Sequence, residues 1–375
     1  MAVAADLRPD QTHGLVCAHH HLYSALARGM PAPPRTPGSF VEILELVWWR
    51  LDRALDLDAI EWSAKLGALE ALERGTTCII DHHESPWAIE GSLEVIAAGC
   101  AEIGVRVNTC FGVTDRQPGV SDSARSEAAG FDPARFDTDG PMTEGARRGL
   151  AENRRHLESG ASGMVGVHAA FTCTDETLSA ATELAAEFDV GVHIHVAEGE
   201  ADRDAASRLA ELSTDRWLII HGVHLTDDHG LAGTLIHNPR SNMNNAVGYA
   251  RPARFANATG LGTDGIGADM LDEFRVAYVR MREDDVTAGP DAAWDMLEVN
   301  RDLFPESRND VVTWNYDDMD PWRLAFTTGV SPRHITVDGE TVMEDGRLTR
   351  VDAAEIRAKA AESAQRLFKK LENLP

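Results

Sequence analysis

The sequence predicts an α/β protein: a (β/α)8 barrel carrying a reduced small β appendage built from the C-terminal segment. Three observations carry that prediction. Eight short apolar runs alternate with segments whose apolar residues recur at three- and four-residue spacing, the signature of repeated βα units. Some 245 residues separate His19 from Asp264, close to the ~250 typical of a closed eight-stranded barrel. Residues able to bind a metal or move a proton sit at the C-terminal ends of the apolar runs, the face on which such barrels place their sites.

The predicted strands are Gly14–Cys17, Thr76–Ile80, Val105–Phe111, Met164–Val167, Val190–Ile194, Trp217–Ile220, Thr234–Ile236 and Thr259–Gly262. Ile60–Arg74, Leu93–Ile103, Ala146–Glu158 and Asp175–Phe188 read as the crossover helices between them. The later crossovers are short, and Asp227–Gly233 leaves room for a turn or two of helix after the sixth strand. Asp115–Pro141 is polar, with glycines and prolines, and reads as a long loop on the active-site side. The barrel is expected over residues 14–285. Residues 286–375 are expected to hold a helix at Ala292–Leu303, a strand at Asp310–Asn315, a hairpin at His334–Met343 and a terminal helix at Val351–Leu374. A lone hairpin edge needs covering, either by that terminal helix or by a partner subunit, as in a homodimer.

Composition narrows the function. The net charge is −26, which repels phosphate backbones and anionic lipid and argues against nucleic-acid and membrane-surface partners. No uninterrupted apolar stretch is long enough to span a bilayer, and Met1–Asp10 lacks the basic start and apolar run of a secretory leader. The five cysteines, Cys17, Cys78, Cys100, Cys110 and Cys173, form no Cys-x-x-Cys pair. A reducing cytoplasm is therefore expected. Lysine is confined to Lys65, Lys359, Lys369 and Lys370, so no lysine is available on the later barrel strands for a Schiff base.

Histidine carries the chemistry. The first strand runs into His19-His20-His21, where residues two apart share a face. His19 and His21 can converge inside the barrel as a divalent-metal chelate while His20 points away. The fifth strand ends in His193-Ile194-His195 with Glu198 three residues on, placed to lean over a metal as an acid/base. His221 ends the sixth strand, and Asp264 stands between a strand end and Gly265. His168 ends the fourth strand, and Asp81-His82-His83-Glu84 ends the second. Each motif alone has an ordinary alternative, namely loop histidines, core histidines with satisfied rings, or a turn aspartate. Their joint occurrence in strand order is what points to a metal site.

This pattern resembles the amidohydrolase superfamily, and within it the aminohydrolase/chlorohydrolase branch of guanine, cytosine and S-adenosylhomocysteine deaminases and triazine hydrolases. The likeness lies in His19–Tyr23, Gly75–Pro86, Gly166–Leu178, His193–Glu198, His221–Leu225, His237–Asn245 and Gly262–Gly265. The resemblance implies that His19, His21, His195 and Asp264 ligate one divalent ion, Zn²⁺ or alternatively Fe²⁺. It implies that His221 holds and polarises the attacking water, that Glu198 shuttles a proton, and that His168 meets the substrate near the reacting group. His82 and His83 are expected to face the substrate as well. A second ion in this superfamily usually needs a bridging lysine carbamate, which the lysine distribution excludes. Relatives usually carry several tens of residues before the His-x-His pair, forming half of a β-sandwich. Only 18 residues precede His19 here, so that sandwich is expected to be reduced.

The expected activity is hydrolytic deamination of an amino-substituted heterocycle of purine, pyrimidine or triazine type by a metal-activated water, with Asp264, Glu198 and His221 as the proton-handling groups. Hydrolysis of another C–N bond or of a C–Cl bond would use the same groups. A repurposed barrel without hydrolase activity is the rival of a different class. Glu198 and His221 count against it, since holding a metal needs neither.

Overall fold

The computed structural model describes residues 7–116 and 131–374. Thirteen strands appear among these residues, labelled in chain order. The barrel strands are β2 (Leu15–His20), β3 (Thr76–His83), β4 (Arg106–Phe111), β5 (Val165–Ala169), β6 (Val192–Val196), β7 (Leu218–His221), β8 (Thr234–His237) and β9 (Thr259–Leu261). All pair in parallel and in order. Isolated bridges Thr109↔Gly163 and Val113↔Val167 join β4 to β5, and His20↔Asp264 joins β2 to the end of β9, so the sheet closes on itself. Most of these strands are buried along their whole length, which is why they read in sequence as unbroken apolar runs. Close packing fixes some residues outright: a Cβ on Gly191, just before β6, would lie 1.8 Å from the Arg216 carbonyl oxygen.

The four expected crossover helices form as Leu57–Leu72, Ser92–Ile103, Glu144–Glu158 and Asp175–Glu187. Asp56, Thr143 and Thr174 cap three of them by accepting from the backbone N–H groups of Ala59, Ala146 and Thr177. The crossover after β7 corrects the sequence expectation. Asp227–Gly233 contains no helix, because Gly230 and Gly233 hold positive φ of 72° and 110° and carry the chain around in turns.

The helix Pro290–Leu303 seals the barrel's closing seam. Asn300 donates to the Val16 and Leu261 carbonyls at 2.8 and 2.7 Å and accepts from the Leu261 N–H at 2.9 Å. Beyond it lies one antiparallel sheet in the order β1 (Gln11–His13), β10 (Val311–Trp314), β11 (Pro332–Val337), β12 (Glu340–Glu344) and β13 (Arg347–Leu348). Arg106 of β4 ties it to the barrel through a two-pronged bond to the buried Asp310, at 2.7 and 2.6 Å. The terminal helix Ala353–Glu372 buries Ile356, Ala360, Leu367 and Leu371 and packs mainly on Leu57–Leu72, an outer helix of the barrel. Among the described residues no helix is long and apolar enough to cross a membrane.

Candidate metal centre and active-site cavity

The strand ends deliver the histidines as alternation requires. His19 is fully buried and His21 sits beside it, while His20 turns to the seam and hydrogen-bonds Thr263 Oγ1 at 3.0 Å. Two backbone carbonyls then fix two tautomers. His21 Nδ1–H donates to the His82 carbonyl at 2.6 Å, and His195 Nδ1–H donates to the His168 carbonyl at 2.7 Å. Each ring is left with a lone pair on Nε2, and these two Nε2 atoms face one another at 3.2 Å. Asp264 Oδ1 lies 3.0 Å from His21 Nε2 and 3.3 Å from His19 Nε2. The Nε2 atoms of His19 and His221 are buried without a hydrogen-bond partner. Donor atoms of His19, His195, His221 and Asp264 all lie within 4.8 Å of one another. Converging lone pairs and a carboxylate repel unless a cation sits between them, and a set of imidazoles plus one carboxylate suits a divalent ion.

The local backbone is bent to make this convergence. Ala197, His221 and Asp264, each at or just past a strand end, hold φ of 50°, 72° and 53°. Side-chain-bearing residues pay of order 1–3 kcal/mol for such conformations and hold them where a site requires it.

The short helix Pro239–Asn244 and the residue after it supply the supports. Ser241 donates its hydroxyl to Asp264 Oδ2. Asn242 Oδ1 accepts from His221 Nδ1–H at 2.7 Å, which turns the His221 Nε2 lone pair toward the site. Asn245 Nδ2 donates to Glu198 Oε1 at 3.3 Å. Glu198 Oε2 is 3.4 Å from His221 Nε2. Burial pushes the Glu198 carboxyl up to about 7. Burial also works to raise Asp264, but the surrounding imidazoles of His19, His21 and His221 outweigh it and hold that carboxyl well below the usual range. The two acids therefore stand in opposite protonation regimes side by side.

The site opens into a partly enclosed cavity. Tyr23, Phe40, Trp48, Trp49 and Phe171 supply its aromatic surface, and His21, His168, His195, Glu198, Asn245 and Asp264 line it as well. His168 is held by Thr172 Oγ1 at 2.7 Å. His82 and His83 do not line it, contrary to expectation. Strand β3 continues through both. His82 points into the barrel interior against His193, and His83 turns the other way to Ser85, Tyr23 and Phe111. Sequence reasoning missed the cavity's far wall. Asp52 and Glu84 lie there, with Arg116 binding Glu84 Oε2 at 2.9 Å and stacked 4.0 Å over the Trp49 ring. The tryptophan pair Trp48-Trp49 ahead of Asp52 was the available signal. Of the expected Asp115–Pro141 loop, residues 117–130 lie outside the described residues. Phe131 packs edge-on against Trp49 at 5.6 Å.

Comparison with known proteins shows what the whole chain resembles. The chain is 27% identical to a 5'-deoxyadenosine deaminase of Methanopyrus kandleri, over 94% of this chain and 86% of that protein. It is 28% identical to a 5-methylthioadenosine/S-adenosylhomocysteine deaminase of Desulforudis audaxviator, over 95% and 86%. Its fold superposes on the atrazine chlorohydrolase of Arthrobacter aurescens TC1 complexed with zinc, with a TM-score of 0.75 at 17% identity, covering 94% of this chain and 88% of that one. The sequence profile of the amidohydrolase family matches residues 12–299, a span that takes in all eight barrel strands and every residue of the convergent site: the chain belongs to the amidohydrolase family.

Proposed function

We propose that this protein is a hydrolytic deaminase of an amino-substituted heterocycle of purine, pyrimidine or triazine type, a hydrolase acting on a non-peptide C–N bond. The observation that carries the reading is the convergence of imidazole lone pairs on Asp264, with Glu198 beside His221, on the wall of an aromatic cavity. His19, His21, His195 and Asp264 would hold one divalent ion, Zn²⁺ in the first instance and Fe²⁺ as the alternative. Such an ion supplies an activated water at neutral pH for attack on an sp² carbon.

The chain's own groups do the rest. The aromatic side chains stack on a flat ring and exclude water. His168 meets the ring near the reacting carbon. Asp264, steadied by the Ser241 hydroxyl, would help to hold the ion and accept the proton of the attacking water. Glu198, half-protonated near neutrality, passes a proton to the ring nitrogen and then to the departing amine. His221, oriented by Asn242, steadies the oxygen as charge develops on it. Similarity to proteins named as adenosine-type deaminases supports the substrate class. A cytoplasmic setting fits five buried, unpaired cysteines, and a net charge of −26 disfavours nucleic-acid and membrane-surface partners.

The test is ammonia release by metal-loaded protein from a panel of aminopurines, aminopyrimidines, pterins and aminotriazines. Turnover on one of these, abolished by a chelator, is expected. A metal-loaded, folded protein that releases ammonia from none of them contradicts the deaminase reading.

A further inference from the structure

Beneath the convergent site lies a second buried group, formed by His82, Cys110 and His193, whose ligand atoms also fall within 4.8 Å of one another. It invites reading as a second metal site. The hydrogen bonds argue for a different role.

His19 Nδ1 is 3.2 Å from His193 Nε2, and His193 Nδ1 is 2.8 Å from His82 Nδ1. His19, His82 and His193 are fully buried. Each ring, kept neutral in this dry interior, has one N–H and one lone pair. A single choice at one end therefore sets all three tautomers. If His19 offers its Nε2 lone pair to a metal, its proton is on Nδ1 and is donated to His193 Nε2. His193 then carries its proton on Nδ1 and donates it to His82 Nδ1. His82 in turn carries its proton on Nε2, which has no hydrogen-bond partner and lies 4.0 Å from Glu84 Oε1 on the cavity wall.

The second-metal reading requires the other tautomer of His193 and of His19. Ligation through the Nδ1 atoms of His82 and His193 would put the His193 proton on Nε2, aimed at His19. His19 would have to accept it on Nδ1 and carry its own proton on Nε2, the atom facing Asp264. For neutral rings the two sites exclude each other.

We propose that His193 and His82 are positioning residues, a two-ring relay that holds His19 in its metal-binding tautomer, and that the His82–Cys110–His193 group holds no ion. The inference rests on the one-metal reading above and extends it to residues that touch neither ion nor substrate. Carbonyl oxygens perform the same task for His21 and His195; for His19, whose Nδ1 faces the barrel interior, another imidazole does so.

The test compares His82→Leu with His82→Asn, since an asparagine Oδ1 can stand where His82 Nδ1 accepts. Zn²⁺ dissociation constants are measured by chelator competition, with metal content per chain read in parallel. Loss of such an outer support typically weakens metal binding by about 10–100-fold, and that is expected for His82→Leu, while His82→Asn should bind as the parent does. Equal losses in both variants, or none in either, overturn the relay. Two ions per parent chain overturn it as well. A parent that binds no ion overturns the one-metal reading itself, whereas a parent with one ion and an unaffected His82→Leu overturns this inference alone. Should His82→Leu fail to fold, long-range ¹H–¹⁵N spectra of the histidine-labelled, Zn²⁺-loaded parent decide. Protons on His193 Nδ1 and His82 Nε2 are expected, and a proton on His193 Nε2 refutes the proposal.

Discussion

Replacing Glu198 by glutamine separates proton transfer from metal holding. Glutamine keeps the size of the side chain and the oxygen that accepts from Asn245 Nδ2, and its amide can donate to the His221 Nε2 lone pair 3.4 Å away. Fold and metal should therefore survive. What is lost is a carboxyl whose proton affinity, raised to about 7 by burial, suits it to give and take a proton near neutral pH. Positioned acid/base groups contribute roughly 10²–10⁴-fold. Glu198→Gln should thus lower kcat by about 10²-fold or more, equivalent to about 2.7 kcal/mol of transition-state stabilisation. Ammonia release from a confirmed substrate, measured beside metal content, gives the answer. His195→Ala is the contrast, since it should lose metal and turnover together. If Glu198→Gln loses its metal in the same way, Glu198 is a ligand and the reasoning fails. If it turns over at the parent's rate, the proton travels by another route.

Elemental analysis of protein purified without added metal should give close to one divalent ion per chain, and two tightly held ions would refute the ligand assignment. Asn300→Ala should cost about 3 kcal/mol in denaturant unfolding, since it strands three buried backbone groups at ~1–3 kcal/mol each; a loss below 1 kcal/mol would mean that water or a neighbour replaces them. Asp81, fully buried between the Leu22 N–H and the Thr109 hydroxyl, has its carboxyl raised by burial to about 6. A folded-state value above the unfolded one favours the fold below pH ~4 and loses that contribution as pH rises through about 6. Asp81→Asn should therefore melt above the parent at pH 8, by on the order of 3 kcal/mol, with the advantage gone near pH 4. An equal difference at both pH values would show that ionisation is not the cause.

The barrel was legible because a parallel strand buried on both faces must be apolar throughout, and each run broke where the chemistry began. The pairing of His19 with His21 followed from two-residue alternation, and the full ligand set from the family resemblance. The expectation for His82 and His83 missed where their strand ends. The apolar run stops at Ile80, yet pairing with β4 extends the strand through His83 and turns His82 inward, away from the cavity. The missing helix after β7 reflects glycines that a composition count treats as neutral loop residues. Gln11–His13 is too short to call, and becomes a strand only by pairing with Val311–Trp314, some three hundred residues on. Ser241, Asn242 and Asn245 stood in sequence as a polar stretch. Their roles appear once the helix Pro239–Asn244 sets three hydrogen bonds onto Asp264, His221 and Glu198. Asp52 comes from the helix Trp49–Ala54, Glu84 from the end of β3 and Arg116 from the segment after β4, and they meet only in the closed barrel.

The central claim is that one divalent ion among these histidines makes a hydrolytic deaminase. The direct measurement is ammonia production from the best aminoheterocycle in the screen while metal-free protein is titrated with Zn²⁺. Activity should rise linearly, reach its plateau at one equivalent per chain and vanish on chelation. A plateau at two equivalents, ammonia release by the metal-free protein, or a fully loaded protein that releases none would contradict it.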